Sequence, residues 1–89
     1  MKDVDRNDSE LEFLQRTNLK LIGRGVKFLR EKHQVTQQEL EWFSGVSQNQ
    51  ISFIESGKTN FKMDSITRIA GAFNLDLLSF IEVCRLAPH

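Results

Sequence analysis

Apolar residues recur at helical spacing along most of the chain. The clearest stripe has intervals of three, four and three residues: Leu19, Ile22, Val26 and Leu29. The helix that carries this stripe would end near residues 32–33. Residues 63–74 and the segment after Asp76 repeat the same spacing. No stretch alternates apolar and polar residues for long, as a half-buried β-strand would. The pattern therefore predicts an all-α protein of five helices.

Two short helices follow the first stripe, at residues 36–44 and 47–56. Each opens with a Thr or Ser that is followed three residues later by Glu or Gln, which is the pattern of a capping box. Only Gly45 and Val46 join them, and Gly45 would supply the positive φ that such a turn requires. Because so short a link makes the helices cross steeply, residues 36–56 are predicted to form a helix-turn-helix unit.

The N-terminal segment carries its own helix signal. Ser9 and Glu12 match a capping box, while the residues before them have no packing pattern. We expect residues 1–16 to form a tail with an extra short helix. Residues 17–86 would then form the main domain.

The outward face of the helix at 47–56 is polar at its start. If Ile51 and Ile54 point inward, their neighbours on the opposite side must be exposed. Gln and Asn each carry a donor and an acceptor on one planar group, which suits the N6/N7 edge of adenine in the major groove. The outward set indicates DNA recognition: Gln48, Asn49, Ser52 and Phe53.

About two-thirds of the 89 residues resemble the helix-turn-helix domain of the lambda repressor and Cro family. The resemblance is carried by GRGVKFLR (23–30), TQQEL (36–40), GVSQNQISFIESGKTN (45–60) and ITRIAGAFNLDLLSFI (66–81). It implies a five-helix DNA-binding domain that acts as a homodimer on a two-fold symmetric DNA operator. The partner would be double-stranded DNA, and the function transcription regulation, typically as a repressor.

The resemblance also implies roles for individual residues. Gln37 matches a position that contacts the DNA backbone, while Gln48 and Asn49 match the leading base-reading positions. Arg30 and Glu55 match a pair that joins the first and third helices by a salt bridge, and this role is structural. The implied DNA-binding set includes a phosphate-approaching loop at its end: Gln37, Ser47, Gln48, Asn49, Ser52, Phe53, Lys58, Asn60 and Lys62.

Three positions depart from the family pattern. Glu41 stands where the family usually has a small residue packed against the recognition helix, so its carboxylate must turn outward or find a partner. Phe53 stands where Arg, Lys or Gln is common, and Phe can touch a thymine methyl but cannot hydrogen-bond a base. Lys62 stands where a polar cap for the fourth helix is expected.

Trp42 lies on a part of the first motif helix that is normally exposed. An exposed tryptophan calls for a surface to cover it. We expect the N-terminal segment to do so through Leu11, Phe13 or Leu14, and a dimer partner is the alternative.

The fifth helix has more apolar residues than one core-facing stripe needs. A well-buried helix would explain this excess. A dimer interface is the interpretation we favour, because many members of the resembled family dimerise at this end. It would run along Leu78, Val83 and Leu86.

The distribution of charge along the chain is compatible with a second function. The chain has zero net charge, yet residues 17–62 hold seven Lys and Arg against four Glu, a net +3. Such a block suits a polyanion, and it suits solvated helix faces equally well. The neutral total, Trp42 and Phe53 fit an alternative in which the scaffold is a protein-interaction module, antitoxin-like or partner-binding, with weak or no DNA binding.

Other classes of protein find little support. The single cysteine, Cys84, cannot form an internal disulfide, and the N-terminus lacks the apolar core of a signal peptide. No apolar run is long enough to span a membrane, so we expect a cytoplasmic protein. The sequence contains no arrangement typical of a nucleophilic triad or a phosphate-cradling loop, and predicts a non-enzyme without metal or cofactor.

Overall fold

The computed structural model describes residues 7–88, and within them it contains helices and no strand. The all-α prediction of five helices is confirmed. The helices follow in the order α1 (Asp8–Lys32), α2 (Gln37–Ser44), α3 (Gln48–Ser56), α4 (Met63–Ala72) and α5 (Leu77–Leu86).

The expected extra N-terminal helix is not a separate element. Helix α1 runs unbroken for 25 residues, and its N-cap is Asn7, not Ser9. The Asn7 side chain accepts a hydrogen bond from the Glu10 N–H at 2.8 Å, and acidic residues in the first turn favour the helix dipole. The two predicted helices merge because no proline or glycine separates them, and the Thr17 hydroxyl donates back to the Phe13 carbonyl within the helix instead of capping a new one. The first part of the expected tail, residues 1–6, lies outside the described residues.

One apolar core joins all five helices. Three of the four residues in the predicted stripe of α1 reach this core, whereas Leu19 is only half-buried. Helix α3 contributes Ile51 and Ile54, both essentially buried. Full burial of one such side chain stabilises the fold by roughly 1.5–3 kcal/mol. The other buried apolar members include Leu40, Val46, Ile66, Ile69, Ala70, Phe80 and Cys84.

Some of the apolar residues that recur at helical spacing are nevertheless exposed. Met63, at the start of α4, lies at the surface, as do Leu77 and Ile81 on α5. The predicted end of α4 at Asn74 is also wrong, because the helix stops at Ala72 and Asn74 takes a φ of 61°. Asn tolerates this left-handed conformation better than most residues, so it turns the chain toward α5.

Two glycines in α1 permit close contact between helices. A Cβ on Gly23 would collide with the backbone carbonyl oxygens of Ile54 and Glu55 in α3. A Cβ on Gly25 would collide with Cys84 of α5. These glycines weaken α1 locally, but they let α3 approach it closely at Gly23 and α5 at Gly25.

Candidate nucleic-acid interface

Helices α2 and α3 meet through the tight turn that the sequence predicts. Thr36 and Glu39 form a capping box at the start of α2. Gly45 has a φ of 80°, and its N–H donates to the Glu41 carbonyl at 2.8 Å. Ser47 then caps α3 by accepting from the Gln50 N–H at 3.2 Å. The turn thus has the local structure of a helix-turn-helix unit.

Helix α3 presents a polar face to solvent. Ile51 and Ile54 hold its inner side in the core, at 0% and 1% exposure. Gln48, Asn49 and Ser52 are exposed on its outer side, together with the predicted aromatic residue Phe53, which is 57% exposed. The predicted base-reading residues therefore share one open surface.

A bidentate ion pair anchors α3 to α1. Arg30 Nε donates to Glu55 Oε2 at 2.7 Å, and its Nη2 donates to Glu55 Oε1 at 3.0 Å. Arg30 Nη1 also donates to the Val35 carbonyl at 3.1 Å. The side chains are only 15% and 6% exposed, and the hydrogen bond to Glu55 raises the pKa of Arg30. The predicted pair is present, and it ties α3 to α1.

Gln37 belongs to this same network. Its side-chain Nε2 donates to Glu55 Oε1 at 3.0 Å, and the residue is half-buried. The resemblance implies a backbone contact for Gln37, but no sequence pattern indicates its bond to Glu55. The structure thus adds an intramolecular task to a residue expected to touch DNA.

The loop after α3 carries the predicted phosphate-approaching residues at its surface. Lys58, Asn60 and Lys62 are all exposed. The Asn60 side-chain oxygen accepts a hydrogen bond from Gln15 Nε2 of α1 at 2.6 Å. Lys62 is the N-cap of α4 and makes no side-chain capping bond, as the sequence predicts. The loop is therefore tied to α1 at Asn60, and its two lysines reach solvent.

Glu41 finds a partner on α3. Its Oε1 accepts a hydrogen bond from the backbone N–H of Gln48 at 3.1 Å. The unusual carboxylate thus bridges α2 to the first residue of α3. The resemblance implies that this carboxylate turns outward or finds a partner, and the partner it finds is the Gln48 N–H.

Comparison with known proteins agrees with this geometry. A family described as helix-turn-helix matches residues 26–80. The chain belongs to this helix-turn-helix family. The match includes α2, the turn, α3 and the loop that follows.

Two curated relatives resemble the domain. The competence pilus inhibition repressor of Acinetobacter baylyi is 42% identical over 53 residues, covering 60% of this chain and 48% of the relative. The antitoxin PezA of Streptococcus pneumoniae is 31% identical over 61 residues, covering 68% and 39%. The chain thus spans less than half the length of either relative. No solved structure gives a significant match.

The helix-turn-helix unit also exposes an aromatic pair on α2. Trp42 is 82% exposed, and its ring meets Phe43 edge-on with centroids 5.6 Å apart. The expected cover from Leu11, Phe13 or Leu14 is wrong, because these residues are themselves exposed. Helix α1 continues straight through that segment, so the segment does not fold back over α2.

Helix α5 presents a second apolar surface. Leu78 is 80% exposed and Leu86 is also at the surface, while Val83 is half-buried. A well-buried helix therefore does not explain the apolar side chains of Leu78 and Leu86. The inward side of α5 is filled by Phe80 and Cys84. The predicted interface residues thus lie where a partner could reach them.

The rest of the described chain offers little other chemistry. Burial raises the pKa of the Cys84 thiol to about 11. Among residues 7–88, no group of three or more His, Cys, Asp or Glu side chains could hold a metal ion. The described helices are all too short or too polar to cross a membrane.

Proposed function

We propose that this chain is a sequence-specific, DNA-binding transcription regulator that acts as a homodimer. The observation that best supports this proposal is the open polar face of α3, which is held within a helix-turn-helix unit. The similarity to a repressor supports negative regulation of transcription. Such a protein works in the cytoplasm by binding alone and needs no catalytic group.

In this proposal α3 lies in the major groove. Gln48 and Asn49 stand in its first turn, where amide side chains reach base edges. Ser52 and Phe53 would contact the next bases, with the Phe53 ring against a thymine methyl. Phosphate contacts set the register of the protein on DNA without reading sequence. We assign them to Gln37, Ser47, Lys58, Asn60 and Lys62.

The exposed face of α5 would join two copies. A two-fold axis there buries the same surface on each copy. Its apolar side chains include the exposed Leu78 and Leu86, and the half-buried Val83 lies between them in the sequence. The dimer should place its two recognition helices about 34 Å apart, one turn of DNA. The operator should accordingly be two-fold symmetric.

Selection from a pool of random DNA duplexes tests the DNA assignment. The wild type should enrich a symmetric sequence, and binding should weaken steeply as salt rises because phosphate contacts release counterions. Gln48→Ala should lose preference at one position of each half-site. Gln38→Ala, an exposed glutamine of α2, should keep it. No enriched sequence and no binding at low salt would contradict the proposal.

Sedimentation tests the dimer separately. Leu78→Glu should shift the protein toward monomer, because it places a charge in the apolar face. Met63→Glu provides the matched control, since Met63 is similarly exposed but lies on α4. Equal dimerisation by both variants would contradict the assignment of α5.

A protein-interaction module is the second candidate function. The exposure of Trp42 beside Phe43 favours it, and so does the similarity to an antitoxin. Trp42 is the only tryptophan in the chain, so its fluorescence reports directly on cover at this surface. If the chain is a protein-interaction module, binding of a purified partner protein should shift the Trp42 emission to shorter wavelength, with little dependence on salt. Under the regulator proposal, Trp42→Ser leaves DNA binding unchanged.

A further inference from the structure

Two N–H groups at the start of α3 already donate to side chains of the protein itself. A helix leaves its first N–H groups without intrahelical partners, and these attract anions. Here the Ser47 side chain takes the Gln50 N–H, and the Glu41 carboxylate takes the Gln48 N–H at 3.1 Å. The second acceptor comes from another helix, seven residues earlier, and carries a full charge. It is therefore more than a local cap.

This contact lies at the edge of the proposed reading surface. Gln48 is the first residue of α3, and both Gln48 and Glu41 are exposed. A DNA phosphate approaching the start of α3 would meet the Glu41 carboxylate where it would otherwise meet a free N–H. The same bond ties the Gln48 backbone to α2.

We propose that Glu41 is a specificity-determining positioning residue of the DNA interface. Its carboxylate substitutes for a phosphate at the start of α3. It weakens the attraction of the interface for DNA of any sequence, and it holds Gln48 in the register from which the amide reads a base. The inference rests on the proposed DNA-binding function and names a control on its selectivity.

Two substitutions separate the charge of Glu41 from its bond. Glu41→Gln keeps an oxygen that can accept from Gln48 but removes the charge. It should tighten binding to selected and random DNA alike, by about three-fold at low salt, as expected for one charge beside a helix terminus. The gain should shrink as salt rises, since salt screens exposed charges.

Glu41→Ala removes both the charge and the acceptor. Random DNA should again bind more tightly, because the Gln48 N–H becomes open to a phosphate. Discrimination between selected and random DNA should fall by about ten-fold, the size of one lost amide–base pairing. Amide exchange at Gln48 should be slow in the wild type and in Glu41→Gln, and faster in Glu41→Ala.

Glu31→Gln is the matched control. It makes the same change in charge on an exposed side chain near the end of α1, away from the turn between α2 and α3. Thermal unfolding of each variant establishes that it is folded before DNA binding is compared.

The outcomes distinguish this inference from the function on which it rests. If the wild type selects DNA but Glu41→Gln and Glu41→Ala match Glu31→Gln in both affinities, the role of Glu41 is overturned and the regulator stands. If the wild type binds no DNA even at low salt, the proposed function fails and the role of Glu41 fails with it. A gain for Glu41→Gln together with lost discrimination for Glu41→Ala would support both parts.

Discussion

The two halves of α1 share one backbone helix but are held in place differently. Residues 8–18, here called the arm, are exposed throughout and are stabilised locally by the Asn7 cap and a Thr17 hydroxyl bond to the Phe13 carbonyl. Residues 19–32, the core segment, pack against α3 and α5. A helix nucleus is costly, whereas extending a formed helix is cheap. The buried half therefore supports a solvent-exposed extension that has few contacts of its own.

Breaking the ion pair of the core segment should have the largest effect. Glu55→Ala leaves Arg30 poorly solvated and without its carboxylate, and should lower the free energy of unfolding by about 3 kcal/mol. Glu12→Ala removes the same charge from the arm and should change it by less than about 0.5 kcal/mol. Urea unfolding measures both. Similar losses would contradict the distinction between the halves.

Adding one methyl group to the core segment should have the next largest effect. Gly23→Ala forces a Cβ against backbone carbonyls of α3 that cannot rotate away, and should cost about 2 kcal/mol despite the better helix propensity of Ala. Gly71→Ala is the matched control, because nothing lies within 4 Å of its added Cβ. It should stabilise the protein by about 1 kcal/mol. A gain at Gly23 as well would show that α1 and α3 are not closely packed.

The contrast between the arm and the core segment also explains which features of the fold could be predicted from the sequence. The stripe of the core segment and the caps at Thr36 and Ser47 are periodic or local signals. The structure has both caps, and it has the stripe except for Leu19, which is only half-buried. The arm has a cap signal but no apolar stripe. Its local pattern could not decide between a separate helix at Ser9 and an extension from Asn7.

Two of the three contacts between helices that shape the site could not be predicted from the sequence. The outward face of α3 follows from the inward positions of two isoleucines, and the Arg30–Glu55 pair followed from the family resemblance. The bonds from Gln37 to Glu55 and from Gln48 to Glu41 have no spacing rule. They depend on how α2 and α3 cross, which the periodicity of either helix does not specify.

The reactivity of Cys84 should report how firmly α5 is packed against the core segment. Cys84 is buried against the core segment, and its pKa is raised to about 11. Alkylation at pH 8 should be about 100-fold slower at Cys84 than at the new thiol of a Leu11→Cys variant. Because the folded pKa is raised, the stability that Cys84 contributes is complete below its usual value of 9.0 and is lost as pH rises through about 11. Equal alkylation rates would mean that α5 opens readily.

The smallest effect is expected where the arm touches the rest of the protein. Gln15→Ala removes the 2.6 Å bond from Gln15 Nε2 to Asn60, which is exposed, so the free energy of unfolding should fall by less than about 0.5 kcal/mol. Amide exchange in residues 58–62 should nevertheless become faster, since this bond ties the loop to α1. Gln15→Ala and Asn60→Ala should have the same effect, and combining them should add nothing. Additive effects would mean that the two side chains act separately and that the arm does not order the loop that carries Lys58 and Lys62.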